Sequence, residues 1–184
     1  MAIRVYGNRP LKTLAGRDTR PTSSRVREAV FHLWRDRVAG CRWLDLCAGV
    51  GAMGAEALGR GASIAVGVEQ SKVACQTIRH NWQRIAHEDQ IVRVLRGDVR
   101  RVLERLGRGE PFDCIYFDPP YASDLYLPVL ERIDRLRLLA PKGELAAEHA
   151  ASRDLPDAIG NLQVCDRRTY GQTAIAIYHL ATGD

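Results

Sequence analysis

From about residue 41 onward the chain alternates short apolar runs with longer amphipathic ones, and this alternation constrains its fold more than any other feature. Apolar runs separated by segments of helical period are the signature of βαβ units, which require a mainly parallel α/β sheet with helices on its faces. Strands are expected at Arg42–Leu46, Ser63–Val68, Ile91–Leu95, Phe112–Phe117 and Glu144–Glu148. Helices are expected near Ala52–Arg60, Ser71–Ala86, Val99–Leu106 and Leu125–Leu139, with Gly61 placed to end the first of them. Gln163–Thr169 and Thr173–Leu180, joined through Tyr170-Gly171-Gln172, read as an antiparallel hairpin closing the sheet.

The first 40 residues follow a different pattern. Ile3, Val5, Leu11 and Leu14 alternate with polar and basic residues, as in a short extended segment. Pro21-Thr22-Ser23-Ser24 offers caps for a helix of about Ser24–Arg37, in which Val26, Ala29, Val30, Leu33 and Trp34 share one face. Residues 1–42 hold ten basic and three acidic side chains, +7, whereas the remainder holds 17 basic and 19 acidic, −2. A basic arm and helix (1–40) on a nearly neutral body (41–184) has the charge distribution of a protein that meets a polyanion, although a solvated arginine-rich surface gives the same tally.

Composition excludes several classes. With 46% hydrophobic residues and 27% charged, the chain can bury a core and has no bias towards disorder. No apolar run approaches the roughly 20 residues that span a bilayer, and the start, Met1-Ala2-Ile3-Arg4, has no apolar signal core. The five cysteines (Cys41, Cys47, Cys75, Cys114, Cys165) are odd in number and show no C-x-x-C spacing. A reducing cytoplasm and a site without metal are therefore expected, with Cys47 and Cys114 as small core residues within strands.

Leu44-Asp45-Leu46-Cys47-Ala48-Gly49-Val50-Gly51 joins the first parallel strand to its helix, and Gly49 and Gly51 permit a tight turn with close approach of a ligand. Asp45 lies inside the strand, where a carboxylate needs a donor or a ligand-facing position. Glu69 ends the next strand, 18 positions after Gly51, at the spacing of an acid that accepts ribose hydroxyls. Asp98, after Gly97, is placed to reach an adenine amino group, or to cap the helix that follows. With Ala48, Gln70 and Val99 beside them, these residues form a candidate nucleoside-cofactor site along one sheet edge. The glycine spacing does not match G-x-G-x-x-G, and an acid before the glycines repels a pyrophosphate. S-adenosylmethionine, which carries an ammonium and a sulfonium, is therefore expected in preference to a dinucleotide.

Asp118-Pro119-Pro120-Tyr121 follows the apolar run Cys114-Ile115-Tyr116-Phe117. Proline fixes its own φ and keeps the preceding residue out of the helical region, so the Asp118 carboxylate and Pro119 carbonyl are held stiffly as acceptors. Two fixed acceptors suit the two hydrogens of an amino group on a planar base, and Tyr121 offers a face for stacking. On these residues alone the base could be guanine, adenine or cytosine. A methyltransferase acting on an amino group of DNA, a dehydrogenase and a non-enzymatic RNA-binding assembly factor remain alternatives.

Taken in order, Arg20-Pro21-Thr22…Arg25-Val26-Arg27-Glu28, Asp45…Gly49-Val50-Gly51, Glu56-Ala57-Leu58…Arg60-Gly61-Ala62, Val68-Glu69 and Asp118-Pro119-Pro120-Tyr121 resemble the RsmD family across nearly the whole chain. These are bacterial enzymes that methylate N2 of a guanine in 16S rRNA. The resemblance implies a Rossmann-like sheet of seven strands, mostly parallel, with S-adenosylmethionine as donor and 16S rRNA or the assembling small subunit as partner. A monomer is expected. Asp118, Pro119, Pro120 and Tyr121 would handle the base, and Arg17, Arg20, Thr22 and Arg25 would contact RNA. Cys47, Val50 and Ala147-Glu148-His149 depart from the residues common in that family, and the N-terminal arm is short for it.

Overall fold

The computed structural model describes residues 3–14 and 24–181. In chain order its elements are β1 (Arg4–Val5), β2 (Arg9–Pro10), α1 (Ser24–Leu33), β3 (Arg42–Leu46), α2 (Ala52–Gly59), β4 (Ile64–Glu69), α3 (Lys72–Gln83) and β5 (Ile91–Arg96). These are followed by α4 (Val99–Leu106), β6 (Phe112–Phe117), α5 (Tyr126–Arg135), β7 (Leu139–Ala150), β8 (Ala158–Ile159), β9 (Leu162–Tyr170) and β10 (Thr173–Leu180). The main sheet has the order β5-β4-β3-β6-β7-β10-β9-β8. Strands β3 to β7 pair in parallel, and β10 pairs antiparallel with both β7 and β9. Strands β1 and β2 form a separate hairpin.

The main sheet thus has eight strands among the described residues rather than the expected seven. The addition is β8, two residues paired to the start of β9 and too short to leave a periodic pattern in sequence. Strand β7 also runs further than Glu144–Glu148. Its register with β6 jumps from Phe112↔Leu139 to Cys114↔Glu144, so the Pro141-Lys142-Gly143 stretch is absorbed as an irregularity. Helix α1 stops at Leu33, and Trp34 leads a turn instead of a further helical turn. Cys47 lies one residue beyond β3 with φ 61°, in the connecting loop and not in the strand.

Period-two alternation sends Leu44, Leu46, Ile115, Phe117 and Leu145 to one face of the sheet, beneath α4 and α5. Trp43, Cys114, Tyr116 and Ala146 go to the other face, where Val30 and Phe31 of α1 meet them. Phe31 stacks on Trp43 with centroids 5.2 Å apart. Helix α2 ends in a Schellman motif, with Ala62 N–H donating to Ala57 O and Gly61 N–H to Leu58 O, both at 3.0 Å. Trp82 of α3 is fully buried, and a Cβ built on Gly54 would collide with its indole.

Because β4 and β5 lie on one side of β3 and β6 and β7 on the other, the chain reverses its winding between β3 and β6. In open α/β sheets the crevice outside the carboxyl ends at such a reversal is where ligands bind.

The packing of Trp82 on Gly54 makes Gly54→Ala an overpacking substitution inside α2. It is expected to lower stability by about 1–3 kcal/mol in spite of alanine's better helix propensity. Urea unfolding of the two proteins measures this. An unchanged or raised midpoint would mean that the indole can move aside without loss.

Candidate active site

At the end of β3 the backbone enters the left-handed region three times in five residues, at Cys47 (φ 61°), Gly49 (57°) and Gly51 (76°). Glycine adopts this conformation without strain, whereas Cys47 does so at a cost that its surroundings must enforce. Ala48 N–H donates to Val68 O at 3.1 Å and Gly51 N–H to Ala48 O at 2.7 Å, folding the loop over the ends of β3 and β4. Gly51 then caps α2.

Four side chains hold this loop. Glu69, half-buried at the end of β4, accepts from Gly49 N–H at 3.0 Å through one oxygen and from Ser71 N–H at 2.8 Å through the other. Asp45, buried inside β3, accepts from Gly54 N–H at 2.9 Å. Burial pushes its carboxyl up to about 8, the Gly54 bond opposing and the Glu69 charge assisting the rise. On α3, Trp82 Nε1 donates to Gly51 O at 2.7 Å. Buried Asn81 donates to Val50 O at 2.9 Å and to Lys12 O at 3.0 Å, and accepts from Lys12 N–H at 2.9 Å. The segment after β2 is thereby tied to the glycine loop, and Ile3 and Leu14 line the cavity beside it.

Asp98 follows Gly97 and caps α4, accepting from Arg100 N–H at 2.9 Å and from the Arg100 guanidinium at 2.7 and 3.1 Å. The Arg100 hydrogen bonds hold its carboxyl down to about 2. Asp98 is thus both a helix cap and part of the cavity wall, next to buried Val99 and across from exposed Gln70.

Asp118 leaves β6 beside the glycine loop, its N–H donating to Leu46 O at 3.3 Å. Pro119 is buried and Pro120 exposed. Tyr121 is half-buried, and its hydroxyl donates to Glu148 Oε1 at 3.0 Å and lies 2.8 Å from Thr173 Oγ1. Glu148, 4% exposed at the end of β7, also accepts from the Tyr116 hydroxyl through Oε2. Burial first, and the Glu148 charge next, push the Tyr116 phenol up, so it stays protonated and donates. Tyr121 is likewise pushed up to about 12, chiefly by burial.

These parts surround one cavity of about 910 Å³ at the carboxyl ends of β3, β4, β6 and β7, within the size range of small-molecule sites. Asp45, Glu69, Asp98, Asp118, Asp124 and Glu148 all line it. Among the described residues its one basic lining side chain is Arg100, already paired with Asp98. Such a wall favours a cationic ligand and disfavours a pyrophosphate. No group of side chains among the described residues could hold a metal ion, and no described helix is long and apolar enough to cross a membrane.

Arg17, Arg20 and Thr22 lie outside the described residues. Arg25, at the start of α1, is exposed, with its guanidinium 5.9 Å from the centroid of Tyr170 at the β9–β10 turn. Other members of the N-terminal basic group are occupied internally. Arg27 is buried against Glu56 and donates to Arg4 O, Arg37 pairs with Glu144, and Arg42 pairs with Glu110.

Sequence reading did not single out Asn81, Trp82, Thr173 or the role of Glu148. Asn81 and Trp82 read as an ordinary stretch of amphipathic helix. Glu148 did carry a signal: like Glu69, it is an acid at the end of an apolar strand on the same sheet edge.

A family model described as conserved hypothetical protein 95 matches residues 3–179. The Bacillus subtilis protein named "Putative rRNA methyltransferase YlbH" is 36% identical over 171 residues, 92% of each chain. Ribosomal RNA small subunit methyltransferase D of Escherichia coli K12 is 27% identical over 159 residues, 86% of this chain and 78% of that protein. The solved structure titled "Putative methyltransferase yhhF from Escherichia coli" superposes with a TM-score of 0.86 at 26% identity over the full length of both chains. With its glycine loop, its strand-end acids and its Asp-Pro-Pro-Tyr turn on one cavity, the chain belongs to this family, the RsmD family that its motifs resemble.

Proposed function

We propose that this protein transfers a methyl group from S-adenosylmethionine to the exocyclic N2 amino group of a guanine in small-subunit (16S) rRNA. The observation that carries the reading is the acid-lined cavity opening onto Asp118-Pro119-Pro120-Tyr121. When bound, S-adenosylmethionine supplies an electrophilic methyl group on a sulfonium centre. Its two cationic groups suit an acid-lined wall on which Arg100, paired with Asp98, is the one basic side chain among the described residues, and its neutral adenosine has no phosphate for that wall to repel. Glu69 would take the ribose hydroxyls, Asp98 and Val99 the adenine edge, and Asp45 with the Ala48–Gly51 loop the amino-acid end. Gln70 would flank the ribose.

The guanine amino lone pair is delocalised into the ring, so that nitrogen is a poor nucleophile. Asp118 and the Pro119 carbonyl accept its two hydrogens and favour a pyramidal nitrogen, while rigid Pro120 holds the turn. The gain comes from orientation and fixed electrostatics. Asp118 then takes the released proton, directly or through water. Tyr121, anchored by its hydroxyl, stacks on a base drawn out of its helix. Arg25, exposed at the start of α1, contacts phosphates together with Arg17 and Arg20, and Thr22 adds a hydroxyl. The names of the relatives support the rRNA substrate.

The direct test incubates the protein with labelled S-adenosylmethionine and small subunits, free 16S rRNA or DNA, followed by digestion and identification of the nucleoside. N2-methylguanosine from the ribosomal substrates is expected. Label recovered as methyladenine or methylcytosine from DNA would overturn the reading.

Asp118→Ala should abolish transfer and leave cofactor affinity nearly unchanged, whereas Glu69→Ala should weaken cofactor binding at least about tenfold, since charge-assisted hydrogen bonds contribute roughly 1.5–3 kcal/mol each. Calorimetry with single-turnover transfer separates the two. Substantial residual transfer by Asp118→Ala would remove it from the chemistry, and full cofactor affinity in Glu69→Ala would confine that residue to the loop.

Asp45 gives a pH signature. Its folded value of about 8 stands above the ordinary 3.8, so its contribution to stability is fully present below the ordinary range and is lost as pH rises towards 8. Asn at this position keeps an acceptor for Gly54 N–H and does not titrate. Asp45→Asn should therefore melt progressively higher than the unsubstituted protein between pH 5 and pH 8, without cofactor, while binding S-adenosylmethionine more weakly. Parallel melting curves across that window would refute the buried-acid assignment.

Replacing Arg17, Arg20 and Arg25 together with Gln should weaken subunit binding at low salt. It should also flatten the dependence of log affinity on log salt by nearly one unit per lost phosphate contact. Cofactor affinity should not move. An unchanged slope would take these arginines out of the substrate site.

A further inference from the structure

We infer that Glu148 is the specificity-determining acceptor for the ring N1–H of the target base, selecting guanine over adenine and cytosine. The inference rests on the amino-methyl-transfer reading above and supplies what Asp118-Pro119-Pro120-Tyr121 leaves open, because that turn recognises an amino group and not the base that bears it.

The placement follows from the sheet. Strands β6 and β7 run parallel with Phe117 opposite Ala147, so Asp118 and Glu148 are the next residues on neighbouring strands, level with each other at the cavity edge. Tyr116 and Ala146, two positions back, face the α1 side, and alternation sends Glu148 to that same side. Both carboxylates line the cavity. Glu148 is 4% exposed and is held from two directions, by the Tyr116 hydroxyl on Oε2 and the Tyr121 hydroxyl on Oε1. Both phenols are donors here, so Glu148 presents itself as an acceptor. Its orientation is fixed before any substrate arrives.

The three candidate bases differ at the atom beside the amino group. On the Watson–Crick edge guanine N2 adjoins N1–H, a donor, with N3 on its other side. Adenine N6 adjoins N1 and cytosine N4 adjoins N3, and both of these are acceptors. With the amino group on Asp118 and the Pro119 carbonyl, a carboxylate one strand away meets the adjoining ring atom. It accepts a hydrogen bond from guanine but faces a lone pair in adenine or cytosine. A buried charge set against a lone pair is penalised, so the same residue attracts one base and rejects the others. Tyr121, which would stack on the base, hangs from this carboxylate, so stacking and edge recognition share one anchor.

The test uses 2-aminopurine, which keeps the amino group of guanine but has an unprotonated N1. The methylated guanine is first mapped in small subunits. Subunits are then reconstituted with RNA carrying either guanine or 2-aminopurine at that position, and kcat/KM for methyl transfer is measured for each. The unsubstituted protein should prefer guanine by about 10- to 100-fold, the range of one hydrogen bond to a charged group. Glu148→Gln, whose amide can donate to N1, should lose most of that ratio while binding S-adenosylmethionine normally. Tyr121→Phe removes a hydroxyl and keeps the carboxylate, so it should slow transfer and preserve the ratio.

Equal rates on guanine and 2-aminopurine with the unsubstituted protein would overturn the inference, and that arm needs no variant to fold. A ratio unchanged in Glu148→Gln, or lost equally in Tyr121→Phe, would also overturn it and leave Glu148 as a positioning residue for Tyr121. Failure to form N2-methylguanosine on any subunit would instead defeat the underlying functional reading.

Discussion

One indole organises the cofactor side of this protein. Trp82 lies against Gly51, Gly54 and Gly67, on the loop, on α2 and on β4, and an added Cβ at any of the three would press on it. Its Nε1 takes the Gly51 carbonyl, while adjacent Asn81 takes the Val50 carbonyl and clasps Lys12. Two consecutive residues of α3 therefore set the distance of α2 from β4, the path of the glycine loop and the seat of the N-terminal hairpin. Glycine is required here as much for the space it leaves to a large neighbour as for its backbone freedom.

The loop so fixed brings carboxylates together at some cost. Asp45 is buried, and its carboxyl is raised to about 8 by that burial before the Glu69 charge adds to it. A protein selected for stability alone would place an apolar residue there. Perturbed acids gathered in one cleft are instead what a cation-binding or proton-handling site requires. Glu69 resolves part of the conflict by serving both ends: its oxygens accept the Gly49 and Ser71 N–H groups and so build the loop from the neighbouring strand.

How much of this was legible in the sequence depended on the range of the interactions. Strands Arg42–Leu46, Phe112–Phe117 and Thr173–Leu180 end where the residue pattern places them, since burial on one or both faces writes itself into local periodicity. The acids Asp45, Glu69 and Asp118 were visible because each sits at or beside the end of such a run, and strand ends share an edge in a parallel sheet. Two-residue β8 left no trace, because its pairing is set by β9 and not by its own residues. The Asn81–Lys12 and Tyr121–Thr173 contacts join positions 69 and 52 residues apart, which no local pattern encodes. The N-terminal charge excess is real, yet Arg27 is spent on buried Glu56 and Arg37, at the surface, on Glu144 of the same molecule. A tally of charges cannot distinguish a cation facing a partner from one holding a helix in place.

What remains is a separation of charge that the net value of +5 conceals. The cavity is walled by acids, and exposed Arg25 stands over Tyr170 at the end of the sheet where β10 begins. Thr173, three residues beyond Tyr170, reaches the Tyr121 hydroxyl, so the turn under Arg25 and the wall carrying Glu148 are joined by one short hairpin. On the proposed reading a polyanionic backbone is attracted to Arg25 and repelled from the acid-lined cavity, while a cationic donor is drawn inside. In the proposed function a base entering past Arg25 leaves its phosphates outside, so that nucleic acid and a cationic donor would meet at the cavity mouth without either occupying the other's site.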